Sequence, residues 1–189
     1  MKKQGNLIVV SGPAGVGKGT VLRSAFEKLD GMCYSVSCTT RKPRAGLDKD
    51  GITYYFLSKE EFQARIDNAS FLEFAEVHGN YYGTPRDKVQ ENLDNGLDVI
   101  LEIDVQGAFM VKQRMPESKL IFIAPPSIEE LENRLRGRGT EDEATIELRL
   151  KNAIWELSQA SKYDFVIVND TINNATENFI EIVKNFRRV

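Results

Sequence analysis

The sequence has few residues of the kinds that build disulfide frameworks or zinc sites. Its 189 residues include two cysteines, Cys33 and Cys38, and a single histidine, His78. The two cysteines lie close together on a strand-like segment, and neither Cys-x-x-Cys nor a Cys/His ligand spacing occurs. We therefore expect reduced thiols, a cytoplasmic location and no cysteine/histidine metal centre.

Long apolar runs and a strong excess of one charge are also missing. No stretch approaches the roughly 20 apolar residues of a membrane span, and the first residues do not form an apolar leader. The net charge of −3 argues against a broad nucleic-acid-binding face. We expect one folded domain without a nucleic-acid or membrane partner, and the sequence is compatible with a homo-oligomer.

Short apolar runs alternate with segments of helical period along most of the chain. This alternation is typical of an α/β fold with a parallel five-stranded sheet. The runs predict strands at 7–10, 34–38, 99–103, 120–124 and 165–168. Helical patterns cover 18–29, 87–95, 107–114, 127–136, 143–161 and 174–186.

The first apolar run leads directly into a glycine-rich loop at the start of a predicted helix. Its glycines let successive backbone N–H groups point at one spot, and the helix directs its positive end there. Lys18 adds a cation for the β- and γ-phosphates of a nucleotide. The spacing Gly-x-x-x-x-Gly-Lys predicts a nucleoside triphosphate site at Gly12, Pro13, Ala14, Gly15, Val16, Gly17, Lys18, Gly19 and Thr20.

Two further segments break the alternation of strands and helices. Arg41 and Arg44 follow the predicted strand 34–38, and their planar guanidinium groups suit phosphate recognition. After them, strand-like patterns at 54–57 and 71–77 enclose a helical one at 59–68, which predicts an inserted α/β subdomain. Residues 136–143 form a second glycine-containing, charged loop whose composition resembles that of a lid.

Several motifs occur in the order found in the guanylate kinase family, which this chain resembles over nearly its whole length. They are the phosphate loop, Ser-Val-Ser-Cys-Thr-Thr-Arg-Lys-Pro-Arg at 35–44, Gly-Asn-Tyr-Tyr-Gly-Thr at 79–84, Glu-Ile-Asp-Val-Gln-Gly at 102–107 and Arg-Gly-Thr-Glu at 138–141. The resemblance implies a P-loop kinase fold with a core (1–38, 84–125 and 146–189), a GMP-binding region (39–83) and a mobile lid (126–145). It also implies transfer of the γ-phosphoryl group of ATP to GMP.

The same resemblance implies roles for individual residues. The GMP phosphate would be held by Arg41, Arg44, Tyr54 and Tyr82, and the base by Ser37, Glu73, Thr84 and Asp104. The groups acting on the migrating phosphoryl group would be Lys18, Arg41, Arg138 and Arg149. Arg134 and Asn169 would lie on the ATP side, where the family's Asn-Asp-Asp is here Asn-Asp-Thr at 169–171.

Glu73 is the residue whose chemistry best explains a choice of guanine. Guanine presents N1–H and an exocyclic amino group side by side, so one carboxylate accepts a hydrogen bond from each. Adenine has an unprotonated N1 that would face the same carboxylate unfavourably. A site built on such hydrogen bonds rejects the wrong base by a factor of about 10⁴.

Position 19 departs from the usual phosphate-loop pattern. A Ser or Thr hydroxyl normally holds Mg²⁺ there, whereas Gly19 has no side chain and Thr20 comes one residue later. We expect ATP phosphates and water to bind Mg²⁺, with no protein residue assigned as a direct ligand. Glu102 and Asp104, two residues apart at the carboxyl end of the predicted strand, are expected on one face, reaching that water shell or the GMP base.

Two alternatives remain at this stage. Guanylate-kinase-like domains also serve as catalytically silent scaffolds that bind phosphorylated peptides, although those lack a working phosphate loop. The Gly-Lys-Gly-Thr ending of the loop also resembles adenylate kinase, so a different nucleotide acceptor is the second alternative. A substrate panel separates both from a GMP kinase.

Overall fold

We describe a computed structural model of the chain over residues 3–137 and 142–188. The strands are β1 (Leu7–Ser11), β2 (Met32–Tyr34), β3 (Cys38–Thr39), β4 (Tyr55–Phe56), β5 (Phe71–Val77), β6 (Asn80–Pro85), β7 (Asp98–Glu102), β8 (Lys119–Ala124) and β9 (Phe165–Val168). The α-helices are α1 (Lys18–Lys28), α2 (Lys59–Asp67), α3 (Arg86–Asp94), α4 (Val105–Arg114), α5 (Ile128–Gly137), α6 (Glu143–Ser158) and α7 (Ile172–Arg188).

The predicted parallel five-stranded sheet is confirmed, in the order β2-β7-β1-β8-β9. Its central strands are buried on both faces because side chains alternate between two apolar layers. Ile8 and Val10 of β1 pack with α1 and α7 on one face, while Leu7 and Val9 pack with α3 and α4 on the other. The carboxyl ends of β1 and β7 therefore lie side by side, at the edge where ligands bind in such folds.

A second sheet, with the order β4-β3-β6-β5, is formed by the inserted segment. β5 and β6 form an antiparallel hairpin whose turn includes His78 and Gly79, both at positive φ. Helix α2 covers this sheet through Phe62, which stacks on Phe71 of β5 at a ring-centroid distance of 4.4 Å. The predicted α/β character of the insertion is confirmed.

The prediction of one strand over 34–38 is wrong, because that segment contributes to both sheets. Ser35 N still donates to Ile100 O of the parallel sheet, at 3.1 Å. Two residues later, Ser37 O accepts from Tyr55 N of the second sheet, at 2.9 Å. An uninterrupted strand-like pattern does not reveal that the hydrogen-bonding partner changes.

The prediction of a helix over 143–161 is also too long, since α6 ends at Ser158 and a 3₁₀ turn follows.

No helix within residues 3–137 and 142–188 has the length and apolar composition needed to cross a membrane.

Candidate active site

The phosphate loop connects β1 to α1, at the carboxyl edge of the parallel sheet. Gly12 and Gly17 have positive φ values of 148° and 96°. A Cβ at Gly12 would lie 2.1 Å from Ile123 O, and one at Gly17 would lie 2.7 Å from Asn169 Nδ2. Glycine is therefore required at both positions, by backbone conformation and by lack of space.

Lys18 begins α1, and its ammonium group lies over the loop. Its Nζ donates to Gly12 O at 2.5 Å and to Pro13 O at 3.1 Å. Arg149 of α6 lines the same cleft of about 340 Å³, together with Glu102 at the end of β7. Two cations that the sequence assigned to phosphoryl transfer are thus brought to the loop. Arg138, assigned with them, lies outside the described residues.

Glu102 faces the first turn of α1 at the residue that lacks a side chain. A Cβ at Gly19 would lie 3.7 Å from Glu102 Oε2 and 3.9 Å from Oε1. The described residues contain no group of three or more His, Cys, Asp or Glu arranged to hold a metal ion. The Glu102 carboxylate thus faces the space that a Ser or Thr side chain at position 19 would occupy.

The prediction that Asp104 shares a strand face with Glu102 is wrong. β7 ends at Glu102, and Asp104 is the N-cap of α4, where its Oδ1 accepts from Gly107 N at 2.7 Å. Aspartate is favoured at this position because its carboxylate satisfies an N–H group that has no partner within the helix. The helix consequently begins at Val105, two residues earlier than predicted.

Glu73 and Asp104 nevertheless meet around Gly107. A Cβ at Gly107 would lie 3.5 Å from Glu73 Oε2 and 3.4 Å from Asp104 Oδ1. Glu73 is 9% exposed and forms a cross-strand pair with Thr84, whose Oγ1 donates to Glu73 Oε1 at 2.5 Å. Burial raises the pKa of Glu73, and the hydrogen bond from Thr84 opposes that rise. The three predicted base-binding groups Glu73, Thr84 and Asp104 thus lie close together beside Gly107.

Arg41 and Arg44 lie together beside the aromatic edge of the second sheet. The Arg41 guanidinium carbon is 5.5 Å from the ring centroid of Tyr54 and 5.8 Å from that of Phe56. The rings of Tyr54 and Tyr82 are 5.9 Å apart in an edge-on arrangement. The four residues expected at the GMP phosphate therefore form one cluster.

Asp48 is the residue of this cluster that sequence reasoning missed. It accepts from Arg41 Nη1 at 2.9 Å and from Arg44 N at 2.7 Å, and its side chain is 1% exposed. The hydrogen bonds from both guanidinium groups hold the pKa of Asp48 well below its usual range. The only sequence signal is its position four residues after Arg44. Asp48 therefore holds both arginines through one carboxylate.

Arg134 and Asn169, the residues expected on the ATP side, are in contact. The Asn169 side chain, however, is directed at the backbone of the phosphate loop. Asn169 is 1% exposed, and its Nδ2 donates to Val16 O at 2.7 Å. Arg134 donates from Nη2 to Asn169 O at 3.1 Å and from Nε to Glu130 at 2.9 Å. Asn169 therefore supports the shape of the phosphate loop, and Arg134 is the more accessible group. Ser37 lies at the crossing between the two sheets, where its carbonyl bonds Tyr55.

Comparisons with known proteins point to one family. The family model described as guanylate kinase matches residues 4–186. A guanylate kinase of Caldanaerobacter subterraneus subsp. tengcongensis is 51% identical over 97% of this chain and 88% of its own length. One of Fusobacterium nucleatum is 51% identical over 96% of this chain and 97% of its own.

A crystal structure of guanylate kinase from Anaplasma phagocytophilum has the same fold. It superposes with a TM-score of 0.71 at 38% identity, and the match covers 97% of this chain and 87% of that one. The matches span both sheets and all the motifs described above. This chain is a member of the guanylate kinase family.

Proposed function

We propose that the chain transfers the γ-phosphoryl group of ATP to GMP and dGMP, giving ADP and GDP, as part of purine nucleotide metabolism in the cytoplasm. An oxygen of the acceptor phosphate attacks the γ-phosphorus while the bond to the bridging oxygen of ADP breaks. The acceptor oxygen is already anionic, so no strong general base is needed. Alignment of the two oxygens and neutralisation of charge are the protein's main tasks.

The observation that carries this proposal is the position of Glu102 and Asp104. Glu102 faces the phosphate loop at Gly19, and Asp104 lies near Glu73 beside Gly107. A single residue separates them in the chain. A donor held by the loop and an acceptor held by Glu73 would therefore approach each other across residues 102–104.

Charged groups in the described residues suit the charge distribution of phosphoryl transfer. Lys18 and Arg149 line the loop cleft, and Arg41 and Arg44 lie at the acceptor end. Mg²⁺ bound to ATP would neutralise part of the charge on the β- and γ-oxygens. The residues present fit a metal held by phosphates and water, because Gly19 offers no hydroxyl and Glu102 is placed to hold a bound water.

A substrate panel tests the proposal. ATP and Mg²⁺ are supplied with GMP, dGMP, AMP or UMP, and formation of ADP is followed. We expect turnover with GMP and dGMP at rates far above those with AMP and UMP. A preference for AMP or UMP would overturn the assignment of Glu73 to guanine. Absence of turnover would favour a silent scaffold, an alternative that the intact loop and the family relatives do not favour.

We further propose that residues 39–83 bind GMP and that residues 126–145 act as a lid. Arg134 of α5 belongs to this segment, so closure would bring it closer to the phosphates, whereas Arg149 of α6 already lines the loop cleft. Small-angle X-ray scattering should then show a smaller radius of gyration when GMP and a non-hydrolysable ATP analogue are both bound than with either alone. Unchanged dimensions in the ternary complex would contradict closure.

A further inference from the structure

Glu73 is an acid in surroundings that favour its neutral form. It is 9% exposed, and Asp104, a second acid, faces the same glycine. Thr84 supplies a hydrogen bond but no charge. Burying an anion without a positive partner is costly. A carboxylate that accepts two hydrogen bonds from guanine must nonetheless be ionised, so a cation in its surroundings would serve base recognition directly.

Arg114, in the last turn of α4, reaches across to the strand that carries Glu73. Its Nη1 donates to Phe71 O at 2.7 Å, two residues before Glu73. Its guanidinium carbon is 5.8 Å from the ring centroid of Phe74, the residue after Glu73. The Arg114 side chain is partly buried against β5, and it contacts this strand at one residue before Glu73 and at one residue after it.

We infer that Arg114 is a positioning residue for base recognition, which fixes β5 against α4 and supplies the positive charge that keeps Glu73 ionised beside Asp104. The inference rests on the proposed function, since it concerns the same acceptor pocket. None of the sequence motifs described above includes this residue. It lies seven residues beyond Gly107, outside the Glu-Ile-Asp-Val-Gln-Gly segment.

The groups that face Glu73 set the direction of its pH dependence. Burial raises its pKa most, the hydrogen bond from Thr84 lowers it, Asp104 raises it and Arg114 lowers it. Glu73 accepts from guanine only above its pKa, where it is ionised. Removing the charge of Arg114 raises that pKa, so GMP binding should be lost at a higher pH than in the wild-type protein.

Two substitutions separate the charge of Arg114 from its hydrogen bond. Arg114→Gln removes the charge but keeps an N–H donor for Phe71 O, whereas Arg114→Lys keeps the charge. The dissociation constant for GMP is measured by calorimetry between about pH 5 and pH 8.5, a range that brackets neutral pH. The second ionisation of the GMP phosphate, near pH 6, is the same for every variant, so it cancels in the ratio to wild type. Lys112→Met, at the same end of α4, is the matched loss of charge.

For Arg114→Gln we expect the acid limb of GMP binding to move up by about one pH unit, the size of effect of one nearby opposite charge, so that affinity falls about 10-fold on that limb and little at higher pH. Arg114→Lys should keep the wild-type acid limb. ATP affinity should be unchanged in both, and Lys112→Met should bind GMP as wild type does.

A profile for folded Arg114→Gln that overlays wild type would overturn the inference. An equal shift in Lys112→Met would overturn it too, because the effect would then be one of general charge. If Arg114→Gln does not fold, Arg114→Lys still tests the inference: an acid limb moved up despite the retained charge contradicts it. Wild-type protein that does not prefer GMP would instead refute the proposed function, so the two failures are distinguishable.

Discussion

Lys18→Ala should lower kcat for transfer from ATP to GMP by about 10³-fold or more, the range measured when one charged or donor group is removed from a phosphoryl- or acyl-transfer site. Lys18 is the first residue of α1, and its ammonium group donates hydrogen bonds to Gly12 O and Pro13 O of the phosphate loop. Loop amides and Arg149 would remain, so some ATP binding should survive. A coupled assay of ADP formation at saturating GMP gives kcat.

Lys28→Ala is the matched control, because it removes an exposed lysine from the last turn of the same helix. It should leave kcat unchanged. Circular dichroism melting should give similar midpoints for both variants, since the Lys18 ammonium is partly exposed. A kcat for Lys18→Ala within 10-fold of the wild-type value would contradict the donor-side role, because loss of one such charge interaction should cost more than that.

Glu73→Gln should lower kcat/KM for GMP by about 10³-fold to 10⁴-fold while leaving KM for ATP nearly unchanged. Glutamine keeps one oxygen for Thr84 Oγ1, so the cross-strand bond is retained. Its amide group would then face the N–H donors of guanine, and two donors repel each other. The loss therefore falls on base recognition, and steady-state kinetics with each substrate varied in turn measures it.

Glu76→Gln is the matched control for Glu73→Gln, on the same strand and exposed to solvent. It should show wild-type kinetics with both nucleotides. Equal losses for GMP and ATP in Glu73→Gln would count against base recognition and point to a general disturbance of the site. A reduced preference for GMP over AMP in the same variant is the accompanying expected result.

Much of the fold followed from patterns that a sequence carries locally. The strand around Val9 and the strand around Ile100 are continuous apolar runs because both faces of the sheet are covered, and that signal is strong. The loop before Lys18 has a spacing that few other structures require. These features were predictable because each depends on residues adjacent in the chain.

The features that sequence reasoning missed depend on partners distant in the chain or on a change of partner. The segment after Tyr34 has one strand-like pattern although it bonds two different sheets. Asp104 follows an apolar run that predicts a strand. Only the structure shows that β7 ends at Glu102 and that Asp104 caps the next helix. Arg114 meets Phe71 across 43 residues, and no spacing records that contact. Asp48 lies in a loop whose charges alone would suggest solvent exposure.

In the complex proposed above, the short path from Glu102 to Asp104 sets the distance between the donor and acceptor nucleotides. One added residue lengthens a chain by at most about 3.5 Å. Reacting atoms in a productive encounter lie only about 3–3.5 Å apart. An insertion at Ile103 would thus move the reacting atoms apart by as much as the distance that separates them in a productive encounter. Transfer would then fail even if each nucleotide still bound with full affinity at its own site.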